Sequence, residues 1–185
     1  MPEAGHESGE GADMMQPIEE LRYLILAAQR EGHRLLAEPL RPLHLTPSQA
    51  EVLCVLQDHE PLSLVALGDL LVSETGSPSR LVQGLVEDGL VERLPSAADK
   101  RMVTLTLTDR GKVMAAKVRD LESQFYEANA GLVNDAPVPE IVAFLWRFVA
   151  ARPAGMALAR RMGREPARET LSDERSAGGE GSTTL

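Results

Sequence analysis

The chain has 185 residues, 43% of them hydrophobic, and a formal net charge of -9, which suits one domain with a real core and excludes a chain disordered throughout. No apolar run nears the roughly 18 residues of a membrane span, the acidic start MPEAGHESGEGAD lacks the basic-then-apolar pattern of an export signal, and the lone Cys54 cannot form an internal disulfide, so the reading is a cytoplasmic protein with no membrane partner. Residues 1–15 and 165–185 carry -7 of the charge and leave -2 for residues 16–164, so the acidity does not exclude a polyanionic partner for the body.

Both ends are rich in Gly, Ser, Glu and Ala and are expected to be disordered tails flanking a single domain over 16–164. From position 17 to about position 36, Ile18, Leu21, Ile25, Ala28 and Leu35 follow helical spacing, and Pro39 and Pro42 are expected to end that helix. In HLTPSQAEVLCVLQDH, Thr46 is a good N-cap, Pro47 suits the first helical position and Gln49 completes a capping box. The helix that follows is apolar almost all round (Ala50, Val52, Leu53, Cys54, Val55, Leu56) and belongs at the centre of the fold.

Ser63 can cap a short helix over 64–71. The break VSETGSPS follows, then a second helix reaching about Asp88. Its start is open: Ser73 caps it with Pro78 in the second turn, or Ser77 caps it with Pro78 first. Gly89 sits where a helix C-terminus favours left-handed dihedrals. Residues 90–94 and 102–108 alternate as two strands of a hairpin, joined by PSAADKR, with Val103, Leu105 and Leu107 on one face. Thr108 caps a long helix over 109–130. VNDAPVP interrupts, and EIVAFLWRFVA begins a last helix that Pro153 and Gly155 break or kink.

Two short helices with a tight break, followed at once by a hairpin, make a winged helix-turn-helix, the arrangement that lays its second helix in the DNA major groove. The fold class expected is mainly α with a small two- or three-stranded antiparallel wing. Five elements in order, LTPSQAEVL, an SRLV-start helix, GLVER, an Asp-x-Arg wing (Asp99, Arg101) and LTxxG, resemble the MarR family of bacterial transcription regulators over about 45–112. The resemblance implies an intertwined homodimer, with dimerisation helices over 17–42 and 131–164, a winged lobe over 45–112 and a long connecting helix over 109–130. It further implies a pseudo-palindromic double-stranded operator, repression, and relief by a small aromatic or amphipathic ligand bound between lobe and dimer region.

In the second helix of the motif, Leu81, Val82 and Leu85 should face inward, leaving Ser77, Ser79, Arg80, Gln83 and Glu87 outward. Serine and arginine suit phosphate or guanine, and glutamine can read adenine. Gly84 is expected to allow close approach to DNA. At the hairpin tip, Lys100 and Arg101 would reach phosphates or the adjacent minor groove, with Asp99 either orienting Arg101 by a charge-assisted hydrogen bond or simply forming the turn. Between 73 and 112 six basic residues face six acidic ones, so binding must come from placed cations rather than a basic field.

The other candidates read as structural. Cys54, among Leu53, Val55 and Leu56, is a packing cysteine rather than a redox sensor. The histidines lack metal-ligand spacing. Phe144, Trp146 and Phe148 suit burial in a dimer, with a ligand cage as the sharper alternative. There is no GxSxG, P-loop or nucleophile–base signature and nothing that calls for a cofactor, so an enzyme is not expected. The competing class is a winged helix used for protein–protein contact.

Overall fold

The computed structural model describes residues 10–72, 77–96, 99 and 101–164, with side chains from Gln16 onward. Helix α1 (Glu10–Leu40) is the first described element. It starts within the stretch read as a tail and runs through Pro39, past the expected stop near position 36. Proline removes one donor from that last turn, but Leu40 is only 4% exposed, and its burial in the lobe core holds the turn helical. A 3-10 turn (Arg41–Leu43) leads to α2 (Pro47–His59).

The capping box forms as expected: Gln49 N–H donates to Thr46 Oγ1 at 3.2 Å, and Thr46 N–H donates to Gln49 Oε1 at 3.0 Å. Val52, Leu53, Cys54, Val55 and Leu56 are all fully buried, so α2 is the axis around which the lobe packs. Short α3 (Leu64–Gly68) and α4 (Pro78–Glu87) close over it through Leu67, Val82 and Leu85. Gly89, at φ 66°, turns the chain out of α4, as the left-handed region permits at little cost for glycine.

Strands β1 (Val91–Pro95) and β2 (Val103–Leu107) pair antiparallel, Val91 opposite Leu107 and Pro95 opposite Val103. Leu62 adds a third, one-residue rung by exchanging both hydrogen bonds with Leu105. Leu105 and Leu107 are buried, whereas Val103, nearer the tip, is exposed because the hairpin projects past the lobe.

Helix α5 (Asp109–Asn129) is capped by Thr108, packs Ala115 and Val118 into the lobe and then leaves it. A 3-10 turn (Ala130–Val133), α6 (Val138–Val149) and α7 (Pro153–Arg161) complete the fold. No described helix is long and apolar enough to cross a membrane. Residues 1–9 and 165–185, most of the two expected tails, lie outside the described residues.

Candidate nucleic-acid interface

Ser63 starts the helix-turn-helix by accepting the Ala66 N–H at 3.1 Å. Of the two starts open for α4, the chain takes the one with Ser77 at the N-cap and Pro78 at the first position; Ser73 lies outside the described residues. The Ser77 carbonyl accepts the Arg80 N–H at 2.9 Å, while its hydroxyl makes no capping bond. Val82 and Leu85 are buried and Leu81 half-buried, which turns Ser77, Ser79, Arg80 and Gln83 outward, all exposed. Arg80 forms no ion pair among the described residues. Gln83 donates its amide to Glu87 Oε1 at 2.7 Å, one turn along on the same face.

Gly84 is half-buried, one turn along α4 from Arg80. A β-carbon there would lie 3.5 Å from Gln49 Nε2, in ordinary contact with the end of that side chain.

The wing tip is a built turn. Asp99 Oδ1 accepts the Arg101 N–H at 2.9 Å, the Asp99 carbonyl accepts the Met102 N–H at 2.9 Å, and the Met102 carbonyl accepts the Ser96 N–H at 2.7 Å. Asp99 thus holds the Arg101 backbone rather than its guanidinium. The side chain of Arg101 is exposed and without an ion pair among the described residues. Lys100 lies outside the described residues. Arg110, by contrast, is committed to the lobe and donates to the Asp88 carbonyl at 3.0 Å.

Cys54 is fully buried, and its Sγ sits 4.0 Å from Glu122 Oε2. Burial, then the negative charge of Glu122, pushes its thiol up to about 11. A thiol so placed stays protonated and unreactive near neutral pH. Arg119 bridges α2 and α5 above it, contacting Asp58 and lying 3.6 Å from Glu122. Where α1, α2 and α5 meet there is an apolar cavity of about 30 Å³, lined by Leu36, Leu40, Val118, Leu121 and Glu122. That is room for a water or two.

Helix α6 buries none of its residues. Ile141, Phe144 and Leu145 face Leu21, Leu24 and Ile25 of α1 across a groove of about 490 Å³. Trp146 is half-buried under Arg164, 5.1 Å from ring centroid to guanidinium carbon. No group of three or more metal-ligating side chains occurs among the described residues.

A helix-turn-helix with an outward basic and polar face, followed by a two-stranded wing with an arginine at its tip, defines the class: a winged helix DNA-binding domain. The sequence profile of that domain matches residues 45–111. The chain is 34% identical over 113 residues to the multiple antibiotic resistance protein MarR of Escherichia coli K12, covering 61% of this chain and 78% of that one. It is 25% identical over 134 residues to the transcriptional regulator MgrA of Staphylococcus aureus, covering 72% and 90%. Among solved structures, a cysteine mutant of E. coli MarR complexed with operator DNA superposes with a TM-score of 0.62 at 31% identity, over 72% of this chain and 96% of that one. The protein belongs to the MarR family of winged helix transcriptional regulators.

Some contacts leave no local pattern in the sequence: Arg161 donates to Glu51 Oε1 at 3.0 Å and Arg160 to the Asp69 carbonyl at 3.3 Å, joining positions far apart in the chain.

Proposed function

We propose that the protein works as a homodimer that reads a pseudo-palindromic operator and represses the genes beside it. The observation that carries this reading is a pair of exposed arginines, Arg80 on the first turn of α4 and Arg101 at the wing tip, without ion pairs among the described residues. A cation left unpaired on a near-neutral surface is available to phosphate or guanine. In this reading Ser77, Ser79, Arg80 and Gln83 enter the major groove, Gln83 exchanging Glu87 for a base edge. Lys100 and Arg101 grip the flanking backbone or minor groove, and Asp99 fixes the turn that presents them.

The dimer forms through residues 17–42 and 131–164. Ile18, Leu24, Ile141, Val142 and Phe148 are each between 45% and 59% exposed, and an apolar face of that extent favours burial against a second copy. Phe144 and Phe148 belong to that interface rather than to a ligand cage. Relief of repression comes from a small aromatic or amphipathic ligand that widens the cavity between α1, α2 and α5 and re-angles the lobes. Its present 30 Å³ means the ligand works by displacing side chains.

Selection of bound duplexes from a randomised pool tests this. The expected product is an inverted repeat with half-sites centred about one helical turn apart. A pool that converges on no motif refutes it and leaves the winged helix as a protein-interaction module.

A further inference from the structure

Two consecutive arginines on the last described helix clasp the segment that leads into the reading helix. Arg160 Nη1 donates to the Asp69 carbonyl at 3.3 Å and lies 4.0 Å from the Asp69 carboxylate. Its neighbour Arg161 donates to Glu51 Oε1 at 3.0 Å, and the same oxygen accepts the Val72 N–H at 2.8 Å. Residues 69–72 are therefore held at one end by Arg160 and at the other, through Glu51, by Arg161. The two ties differ in weight. The Arg161 and Glu51 side chains are 23% and 13% exposed, those of Arg160 and Asp69 41% and 60%, so the Glu51 tie is the desolvated one and the stronger.

Each end of this connection is anchored. Glu51 stands on α2 beside its fully buried stretch, and Val72 lies five positions ahead of Ser77, which opens α4. At the other end α7 meets α6 without slack: a β-carbon on Gly155 would lie 2.0 Å from the Val149 carbonyl oxygen. Helix α6 carries the apolar face assigned above to the second subunit. Between residues 68–72 and 153–160 a cleft of about 260 Å³ remains, so α7 and the segment are not fused by close packing there, and the arginine contacts bridge the gap.

We propose that Glu51 and Arg161 are positioning residues for DNA reading: they tie the approach to α4 to the C-terminal helix, so that the placement of the dimer arm sets the orientation of the reading helix. The proposal rests on the DNA-reading function above. A movement of α6 in the dimer carries α7 with it through the Gly155 corner, and the Arg161–Glu51–Val72 contacts pass it to residues 69–72, ahead of α4 in the chain. Neither residue lies on the face assigned to DNA. Their removal should lower affinity without taking a contact from it.

The test is anisotropy titration of the duplex recovered by the selection, with wild type, Arg161→Ala, Arg161→Lys, Glu51→Gln and the pair Glu51→Gln/Arg161→Ala, using Arg80→Ala as the contact control. Thermal unfolding is followed in parallel. Arg161→Ala is expected to bind about tenfold more weakly and Arg161→Lys to stay within about threefold of wild type. In the Glu51→Gln background Arg161→Ala should cost no more than about twofold further, because glutamine keeps the acceptor for Val72 but lacks the charge that makes the Arg161 contact strong. Unfolding midpoints should stay within about 3 °C of wild type. Wild-type affinity in Arg161→Ala alongside lost affinity in Arg80→Ala overturns the inference and leaves the function standing. A loss that adds fully in the double variant, or tracks a lowered midpoint and is not rescued by lysine, overturns it too. A wild-type protein with no preferred duplex overturns the function and the inference together.

Discussion

The carbonyl oxygen of Leu90 lies 1.9 Å from the place a β-carbon on Gly111 would occupy. This contact seals the joint between wing and α5. Thr108 completes it, donating its hydroxyl to the Gly89 carbonyl at 2.7 Å, its N–H to the Leu90 carbonyl at 3.1 Å, and accepting the Gly111 N–H at 3.0 Å. Gly111→Ala must push the strand from the helix, and we expect a loss of about 1–3 kcal/mol in denaturant unfolding. Unchanged stability would show that the joint has slack.

Arg101→Ala should weaken operator binding by about 1–3 kcal/mol without moving the unfolding midpoint. Asp99→Ala frees the Arg101 amide and should forfeit part of that affinity. Asp99→Asn keeps an oxygen acceptor and should retain most of it. Anisotropy titration separates the three, and wild-type affinity in Arg101→Ala would take the wing tip out of the interface.

Gly84 sits inside α4 with its open side toward Gln49. A methyl group there makes ordinary contact, and alanine costs less than glycine in a helix interior. Gly84→Ala should therefore stabilise the protein by about 0.5–1 kcal/mol and leave operator affinity unchanged. Weakened binding in a stabilised variant would place Gly84 against DNA.

The thiol of Cys54, pushed up to about 11 from an ordinary value of 9.0, gives a pH signature. Above pH 9 the unfolded chain releases this proton while the folded chain keeps it. The contribution is whole below about pH 9 and falls away as pH rises toward 11, by up to about 3 kcal/mol. Urea unfolding from pH 8 to 10.5 should show wild type losing stability faster than Cys54→Ala. Parallel curves would mean that the thiol ionises as freely in the fold as outside it. In native protein at pH 7.5 a thiol reagent should label Cys54 no faster than the protein unfolds.

Much of this was legible from residues alone, for local reasons. Thr46 and Gln49 announce a helix start because the cap needs those atoms three residues apart, and Leu105 and Leu107 announce a strand because alternation needs only neighbours. Pro39 misled because the burial of Leu40, a tertiary effect, outweighed one missing hydrogen bond. Arg161 and Glu51 stand 110 positions apart, and nothing periodic links them. The outward set on α4 was readable from helical spacing, but the bond between Gln83 and Glu87 and the amide held by Asp99 depend on side-chain conformations that spacing does not specify.

Sequence-specific reading of DNA by a dimer can be measured by anisotropy titration of the purified protein against tiled duplexes from its own upstream region at several salt concentrations. The expected result is saturation of one tile at two chains per duplex, well above its neighbours, with a shallow fall in affinity as salt rises, because few cations are placed at the interface. Equal binding to every tile with a steep salt dependence, or saturation at one chain per duplex, would contradict it.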